Sequence, residues 1–370
     1  MQSTSGDVLR SHVKKPLRAA ARIPFALKVV TRSIPARTSP RRFGRPLRRN
    51  DSLVKAKPAV PKIPLDVDDV VLDVGSRSVH LTHLGKVFFA ETGYTKRDLL
   101  QYYADVSPLL LPHLANRAMV MKRYPHGAAG EFFFMKRTPP GAPAWLTKCS
   151  IEHDSGSIID FPIVDDVAAL LWTINLGCID LNQWYATCDD VDRPDYMHFD
   201  LDPVKTGPDG PTPFAVVREA ALAIKAALDA LKMPAFAKTS GSNGIHVYVP
   251  IVRGPIQKDV WRVSKAFAFA AAAQHPDILT AEYKIAKRPH GRILVDYNQN
   301  AWSRTLASIY SVRPTPRATV STPVTWEEIA GGITIDDFRL DNVRERFARL
   351  GDLWAPLFAK TKRVKLEKLL

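Results

Sequence analysis

Cysteine is scarce in this sequence. Three occur in 370 residues (Cys149, Cys178, Cys188), and none belongs to a C-x-x-C pair. A disulfide framework and a cysteine-rich zinc site are therefore not expected, and a reducing compartment is the simpler reading. Long apolar runs are missing as well. The longest covers residues 266–273, eight residues, far short of the ~20 that a membrane helix needs. No membrane partner is expected. A G-K-[ST] phosphate loop is absent, and no internal repeat is found. Acids are almost missing from the first sixty residues, where only Asp7 and Asp51 stand against 15 Lys and Arg.

That asymmetry explains the net charge of +15. The other 310 residues hold 37 basic and 35 acidic side chains, so basicity of the whole chain says little about the folded part. Hydrophobic residues at 46% and charged residues at 24% are ordinary globular values and leave enough apolar chain for a sizeable core. Residues 1–62 are punctuated by Pro16, Pro24, Pro35, Pro40 and Pro46, show no periodicity, and read as a disordered basic arm. Lys28 interrupts the one apolar stretch, which argues against a secretory signal. The composition fits a nucleic-acid-binding arm, an organellar transit peptide or a start codon assigned too far upstream.

From about Val67 the pattern becomes globular. Thr95 with Asp98 forms a capping-box signature and starts a helix near Lys96. Pro213 opens a second helix whose face carries Val217, Ala221, Ile224, Leu228 and Leu231, and Pro234 stops it. A third helix is expected over 260–274. Residues 197–202, 245–252 and 292–297 read as strands. Strands mixed with helices predict an α/β or α+β fold. The catalytic domain is placed at 65–330, followed by a helical extension over 331–370.

The chemistry concentrates in DYMHFDLDP. Strand alternation puts Asp200 and Asp202 on one face with Leu201 behind them. Neighbouring carboxylates repel and raise each other's pKa, so a cation is their natural partner. Asp296, near the end of RILVDY, supplies a third acid. Three carboxylates on adjacent strands suit Mg²⁺ or Mn²⁺ and leave positions open for phosphates, although a lone D-x-D also occurs without metal. In KTSGSNGIHVYVP, Gly241 and Gly244 allow close backbone approach, Ser240 and Ser242 add hydroxyls, and His246 follows on the strand. Taken alone, such a loop is most often a plain turn. Lys287, Arg288, Arg292 and Arg313 add positive charge near the third acid.

HFDLDP, KTSGSNGIHVYVP, GRILVDYNQN and YSVR, in this order and spacing, resemble the primase-polymerase domain of bacterial DNA ligase D, in the archaeo-eukaryotic primase superfamily. The resemblance runs from about Leu81 to beyond Trp326 and includes LGKVFFAETGYTKRDLLQYY, MKRYPHG, FFFMK and DRPD. No ligase or phosphoesterase segment follows, as in a stand-alone relative. It implies a mixed α/β fold with mixed sheets flanked by helices. It also implies template-directed nucleotide transfer, in which the primer 3′-hydroxyl attacks the α-phosphorus and expels pyrophosphate. Two ions, Mn²⁺ or Mg²⁺, would be held by Asp200, Asp202 and Asp296. Ser240, His246, Arg288 and Arg313 match positions that contact the triphosphate. Lys86 and Lys96 match positions that hold a 5′-phosphate, Phe133 and Phe134 match a base-stacking pair, and Lys122 and Arg123 adjoin the template.

The resemblance further implies a cytoplasmic, nucleoid-associated protein that fills short gaps or ends in non-homologous end joining. Its substrates would be 5′-phosphorylated DNA gaps or ends and an NTP or dNTP, with ribonucleotides favoured. A Ku-like end binder and a separate DNA ligase would be its partners. Two departures stand out: Asn182 lies where the family often has His, and Asn243 where it often has Lys. A de novo primase would differ by a zinc motif, which three scattered cysteines do not make. A catalytically silent DNA-end binder would not need three repelling acids. A D-x-D glycosyltransferase explains the first motif alone.

Overall fold

The computed structural model describes residues 60–204, 210 and 212–368. The basic arm therefore lies outside the described residues, apart from its last three. The chain opens with a hairpin of β1 (Val70–Val74) and β2 (Arg77–Leu81), then the short pair β3 (Val87–Phe89) and β4 (Tyr94–Thr95). Helix α1 (Lys96–Leu114) begins at the expected capping box: the Thr95 hydroxyl accepts from the Asp98 amide, and the Asp98 carboxylate accepts from the Thr95 amide. A small sheet follows, in which β5 (Met119–Arg123) lies between β6 (Phe133–Met135) and β9 (Cys178–Gln183). Between these in sequence come the hairpin of β7 (Lys148–Glu152) and β8 (Ile158–Pro162), and the nearly all-apolar α2 (Val167–Asn175).

The second half builds a six-stranded sheet from β10 (Tyr196–Pro203), β11 (Phe236–Thr239), β12 (Ile245–Pro250), β13 (Leu279–Thr280), β14 (Ile293–Asp296) and β15 (Pro323–Val324), in the order β13-β14-β10-β12-β11-β15. Only β13–β14 is parallel. Helices α3 (Phe214–Ala230) and α4 (Gln257–Gln274) cover one face. Phe199 of β10 packs on Phe267 of α4 with ring centroids 4.6 Å apart, which fixes Met197, Phe199 and Leu201 as the helix-facing row. α3 presents Val217, Ala221, Ile224 and Leu228 as expected. Each such fully buried Leu or Ile stabilises the fold by roughly 1.5–3 kcal/mol. α4 begins three residues before the expected start, with Ile256 as its cap.

An antiparallel sheet commonly leaves its polar face to water. Here the polar face of β10 is covered too: Tyr185, just beyond β9, lies with its ring 3.9 Å from that of His198. The alternation of MHFDLD is thus a choice between two buried faces, and polar residues on the second face need partners. The C-terminal segment seals that arrangement. Helices α5 (Trp326–Gly331) and α6 (Val343–Leu350) are joined and followed by 3-10 turns. The segment is less helical than its sequence suggests, because Phe338, Leu340, Trp354, Leu357 and Leu366 are spaced irregularly and each enters the main core. Trp354 Nε1 donates to the Ala237 carbonyl at 3.1 Å.

One expectation is overturned. Cys149 of β7 and Cys188 form a disulfide, with Cα atoms 5.9 Å apart. Cys149 points inward because of strand alternation in β7, into a second small core with Ile151, Phe161 and Trp184 that Cys188 also borders. A separation of 39 residues carries no spacing signal. Cys178 is free and buried.

Candidate active site

Register brings four polar residues from four strands into one row. Lys238 of β11 pairs with His246 of β12, His246 with Asp200 of β10, and Asp200 with Asp296 of β14. All four are buried. The Lys238 ammonium is 2.8 Å from His246 Nδ1 and donates to Ser321 Oγ at 2.6 Å. His246 Nε2 then faces Asp200 Oδ1 at 3.2 Å. That contact lacks hydrogen-bond alignment, so this buried carboxylate oxygen is left without a donor. Burial first, and then the Asp296 charge, push the Asp200 carboxyl up to about 7. Burial holds both Lys238 and His246 well below their usual ranges, each pushed further by neighbouring cations. Asp296 is oriented by the Asn298 amide at 2.8 Å on Oδ1 and Gln299 Nε2 at 3.1 Å on Oδ2. Asp202 lies two residues beyond Asp200 on the same face, half-buried at the strand end.

The glycine loop abuts these acids. A Cβ on Gly244 would sit 2.5 Å from the Leu201 carbonyl oxygen and 3.1 Å from Asp202 Oδ1. Gly241, at φ +67°, would collide with Arg313 Cγ and the Ser321 amide. Gly244 is required by close approach to the acid-bearing strand, and Gly241 by its positive φ and the Arg313 side chain and Ser321 backbone against it. Ser240 Oγ accepts from the Ser242 amide at 3.1 Å and the Gly244 amide at 2.9 Å, which leaves its own hydroxyl hydrogen to offer. An open pocket of about 750 Å³ starts at Pro203, Ser242 and Asn243. It continues between Phe214 and Arg317.

Arg313 ties this loop to the small sheet. Its Nη1 donates to the Ser240 carbonyl at 3.0 Å, and its Nε lies 3.5 Å from Asp180 Oδ2. Asp180, on β9, pairs in register with Lys122 of β5, and Lys122 with Phe134 of β6. The Lys122 ammonium is 3.9 Å from the same Asp180 oxygen and 4.1 Å from the Phe132 ring centroid. Phe133 and Phe134 are 43% and 58% exposed, and Arg123 lies over Phe133 at 5.2 Å. Neither is a core phenylalanine. Asn182 donates to the Asp180 carbonyl at 3.2 Å. Sequence reasoning missed both Asp180 and Lys238. The only signal was a lone charge inside each apolar strand.

Lys86, Lys96 and Arg123 gather at the start of α1. Lys96 Nζ donates to the Thr82 carbonyl at 2.6 Å, Lys86 Nζ to Pro125 at 2.7 Å, and Arg123 Nε to Leu176 at 2.7 Å. Burial, then the Lys86 charge, lower the Lys96 ammonium to about 8. The free amides expected at this helix start are not available. The Lys96 amide donates to Lys86, that of Arg97 to Leu84, and that of Asp98 to Thr95. An anion here would be held by side chains. Arg288 is not brought to the acid row: its Nε and Nη2 donate to the Glu282 and Tyr283 carbonyls of its own loop, at 3.1 and 2.9 Å.

Among the described residues no group of three or more His, Cys, Asp or Glu side chains is gathered closely enough to hold a metal ion as it stands. The unpartnered buried Asp200 oxygen, and the all-oxygen donor set with Asp202 and Asp296, nevertheless fit a hard divalent cation whose remaining positions a phosphate would fill. No described helix is long and apolar enough to cross a membrane.

Residues 95–354 match the family described as LigD, primase-polymerase domain. The chain belongs to the LigD primase-polymerase family. The matched span contains both residue rows and the glycine loop, and Lys86 falls just before it. A multifunctional non-homologous end joining protein LigD from Mycolicibacterium smegmatis is 32% identical over 283 residues, covering 76% of this chain and 36% of the relative. The bifunctional LigD of Bacillus subtilis is 31% identical over 281 residues, 75% of this chain and 44% of the relative. The chain thus spans under half the length of these relatives. The polymerase domain of Mycobacterium tuberculosis ligase D, solved in complex with DNA, superposes with a TM-score of 0.70 at 30% identity. That match covers 76% of this chain and 98% of the other. The mixed α/β architecture of this chain is that of the LigD polymerase domain.

Proposed function

We propose that this protein is a nucleotidyltransferase of DNA break repair, adding nucleotides opposite a template at short gaps or ends during non-homologous end joining. The observation that carries this reading is the meeting of Asp200, Asp202 and Asp296 with the Ser240–Gly244 loop at one strand end. Asp200, Asp202 and Asp296 would hold two divalent cations, Mn²⁺ or Mg²⁺. When bound, such ions neutralise charge on attacking and leaving oxygens. The Ser240 hydroxyl and the remaining N–H donors of Arg313 orient an NTP or dNTP, with ribonucleotides preferred. His246 has its ring nitrogens facing Lys238 and Asp200, which seats it beside the acid without a hydrogen bond to it. Arg288 reaches the triphosphate only if its loop opens.

On the DNA side, Lys86, Lys96 and Arg123 take the 5′-phosphate of a gap, while Phe133 and Phe134 stack on template bases. Lys122 lies between them and the site. A terminal phosphate is a stronger anion than an internal diester, so this cluster selects gaps that carry one. A separate ligase and a Ku-like end binder would complete repair in the bacterial cytoplasm. The test is extension of a primer on a 5′-phosphorylated gap with rNTPs or dNTPs and Mn²⁺ or Mg²⁺, beside a template without primer. Extension from the primer is expected. No product under any condition would refute the reading, and equal product without primer would make the enzyme a primase.

A further inference from the structure

We propose that Asp180 is a positioning residue, which holds Arg313 in the orientation that the triphosphate site uses. The proposal rests on the polymerase reading above, and it adds a residue that touches neither substrate nor metal. Asp180 is buried in β9, where a β-bulge shifts the register between Lys122 and Arg123. Regular ladder register, which holds from Met119–Gln183 up to this pair and shifts only beyond it, sets the Asp180 side chain in one row with Lys122 and Phe134. Its Oδ2 lies 3.5 Å from Arg313 Nε and 3.9 Å from Lys122 Nζ. Its Oδ1 is buried without a hydrogen-bond partner, and so is Arg313 Nε. The attraction is therefore between charges, without a directional hydrogen bond.

A buried carboxylate survives only with cations close by. Burial raises the Asp180 carboxyl, and Arg313 and then Lys122 oppose that shift. Arg313 has little other anchorage. Its Nη1 bonds the Ser240 carbonyl, and its Cγ stands where a side chain on Gly241 would be. Replacing the carboxylate with an amide leaves a guanidinium free to swing about that one bond. One oxygen also serves Lys122, whose ammonium sits over Phe132 beside the exposed aromatic pair. The residue that steadies the nucleotide arginine is thus shared with the template face, and strand register decides where it points.

The test is a double-mutant cycle of Asp180→Asn and Arg313→Gln, read in the full-length protein. One readout is the Kd of the non-hydrolysable nucleotide α,β-methylene ATP with gapped DNA and Mn²⁺. The other is the division between KM and kcat in primer extension. We expect Asp180→Asn to raise nucleotide Kd and KM about tenfold with kcat nearly unchanged, and Asp180→Glu to restore part of the loss. In the Arg313→Gln background Asp180→Asn should add nothing further, because the residue acts through Arg313. Losses that multiply independently in the double mutant would overturn the proposal, as would an unchanged Kd in Asp180→Asn. If the amide variant melts without cooperativity, the same cycle with Asp180→Glu decides, since a misplaced carboxylate must also act only through Arg313. A wild-type protein that binds no nucleotide would refute the polymerase reading itself. Binding by wild type with an unaffected Asp180→Asn would refute this inference alone.

Discussion

Asp200 and Asp296 stand directly opposite each other across the β10–β14 ladder, buried, with His246 opposite Asp200 on its other side. Two carboxylates so placed destabilise the metal-free fold, because like charges at opposed positions of neighbouring strands repel.

Asp200→Asn should therefore stabilise the metal-free protein while abolishing its activity. The amide keeps the shape and removes one charge, so Tm is expected to rise by about 2–4 °C in the presence of a chelator. Nucleotide transfer should fall by roughly 10²–10³ or more. Calorimetry and primer extension on the same preparation check both halves, and a lowered Tm would show that the carboxylate stabilises the sheet more than its repulsion of Asp296 weakens it.

On the proposed reading, Lys96 should make recognition of a 5′-phosphate dependent on pH. Its ammonium is pushed down to about 8, so the cation is present below that pH and lost above it, while a terminal phosphate is a dianion above ~6. The affinity ratio of 5′-phosphate to 5′-hydroxyl gaps should thus be highest near neutrality and fall as pH climbs through 8 to 9. Bound phosphate shifts the fall upward. Competition titrations across that range test it, with Lys96→Met expected to flatten the profile.

If Phe133 and Phe134 stack on DNA as proposed, they should separate stability from binding. With 43% and 58% exposure, truncation to Ala should change stability by less than about 0.5 kcal/mol. Loss of a stacking ring should cost about 1–3 kcal/mol of affinity for gapped DNA per base. Urea unfolding and fluorescence anisotropy of the single and double variants measure the two effects.

The disulfide closes a loop of 39 residues between β7 and the chain beyond β9. Cys149→Ser with Cys188→Ser should lower unfolding free energy by about 2–4 kcal/mol on the chain-entropy account. A reductant should bring the wild type down to the variant and leave the variant unmoved, as read by urea midpoints.

Much of the sheet was legible because local signals agree with it. Thr95 and Asp98 mark a helix start by their own reciprocal bonds, and the alternation around Asp200 and Asp202 survives burial of both faces. The capping box did not reveal that neighbouring carbonyls take the first-turn amides of α1, since those carbonyls come from residues ten or more positions earlier. Lys238 and Asp180 were invisible for a related reason. Each becomes meaningful only when strand register sets it beside His246 or Lys122, and register among four strands is not written in any one segment. Cys149 and Cys188 were misread because a sequence separation of 39 residues hides their approach. Arg288 fits its motif position, yet short-range bonds to its own loop decide where its side chain goes.

The full burial of Lys238 has a practical consequence for labelling chemistry. Amine reagents attack an uncharged, accessible nitrogen, and this one is out of their reach, held between His246 and Ser321. In the intact sheet it should stay unmodified while surface lysines react. Once β11 separates from β12 and burial no longer shields it, it should react as the surface lysines do. Modification at position 238, followed by mass spectrometry against time, would then act as a clock for how often the strands carrying Lys238 and His246 part company.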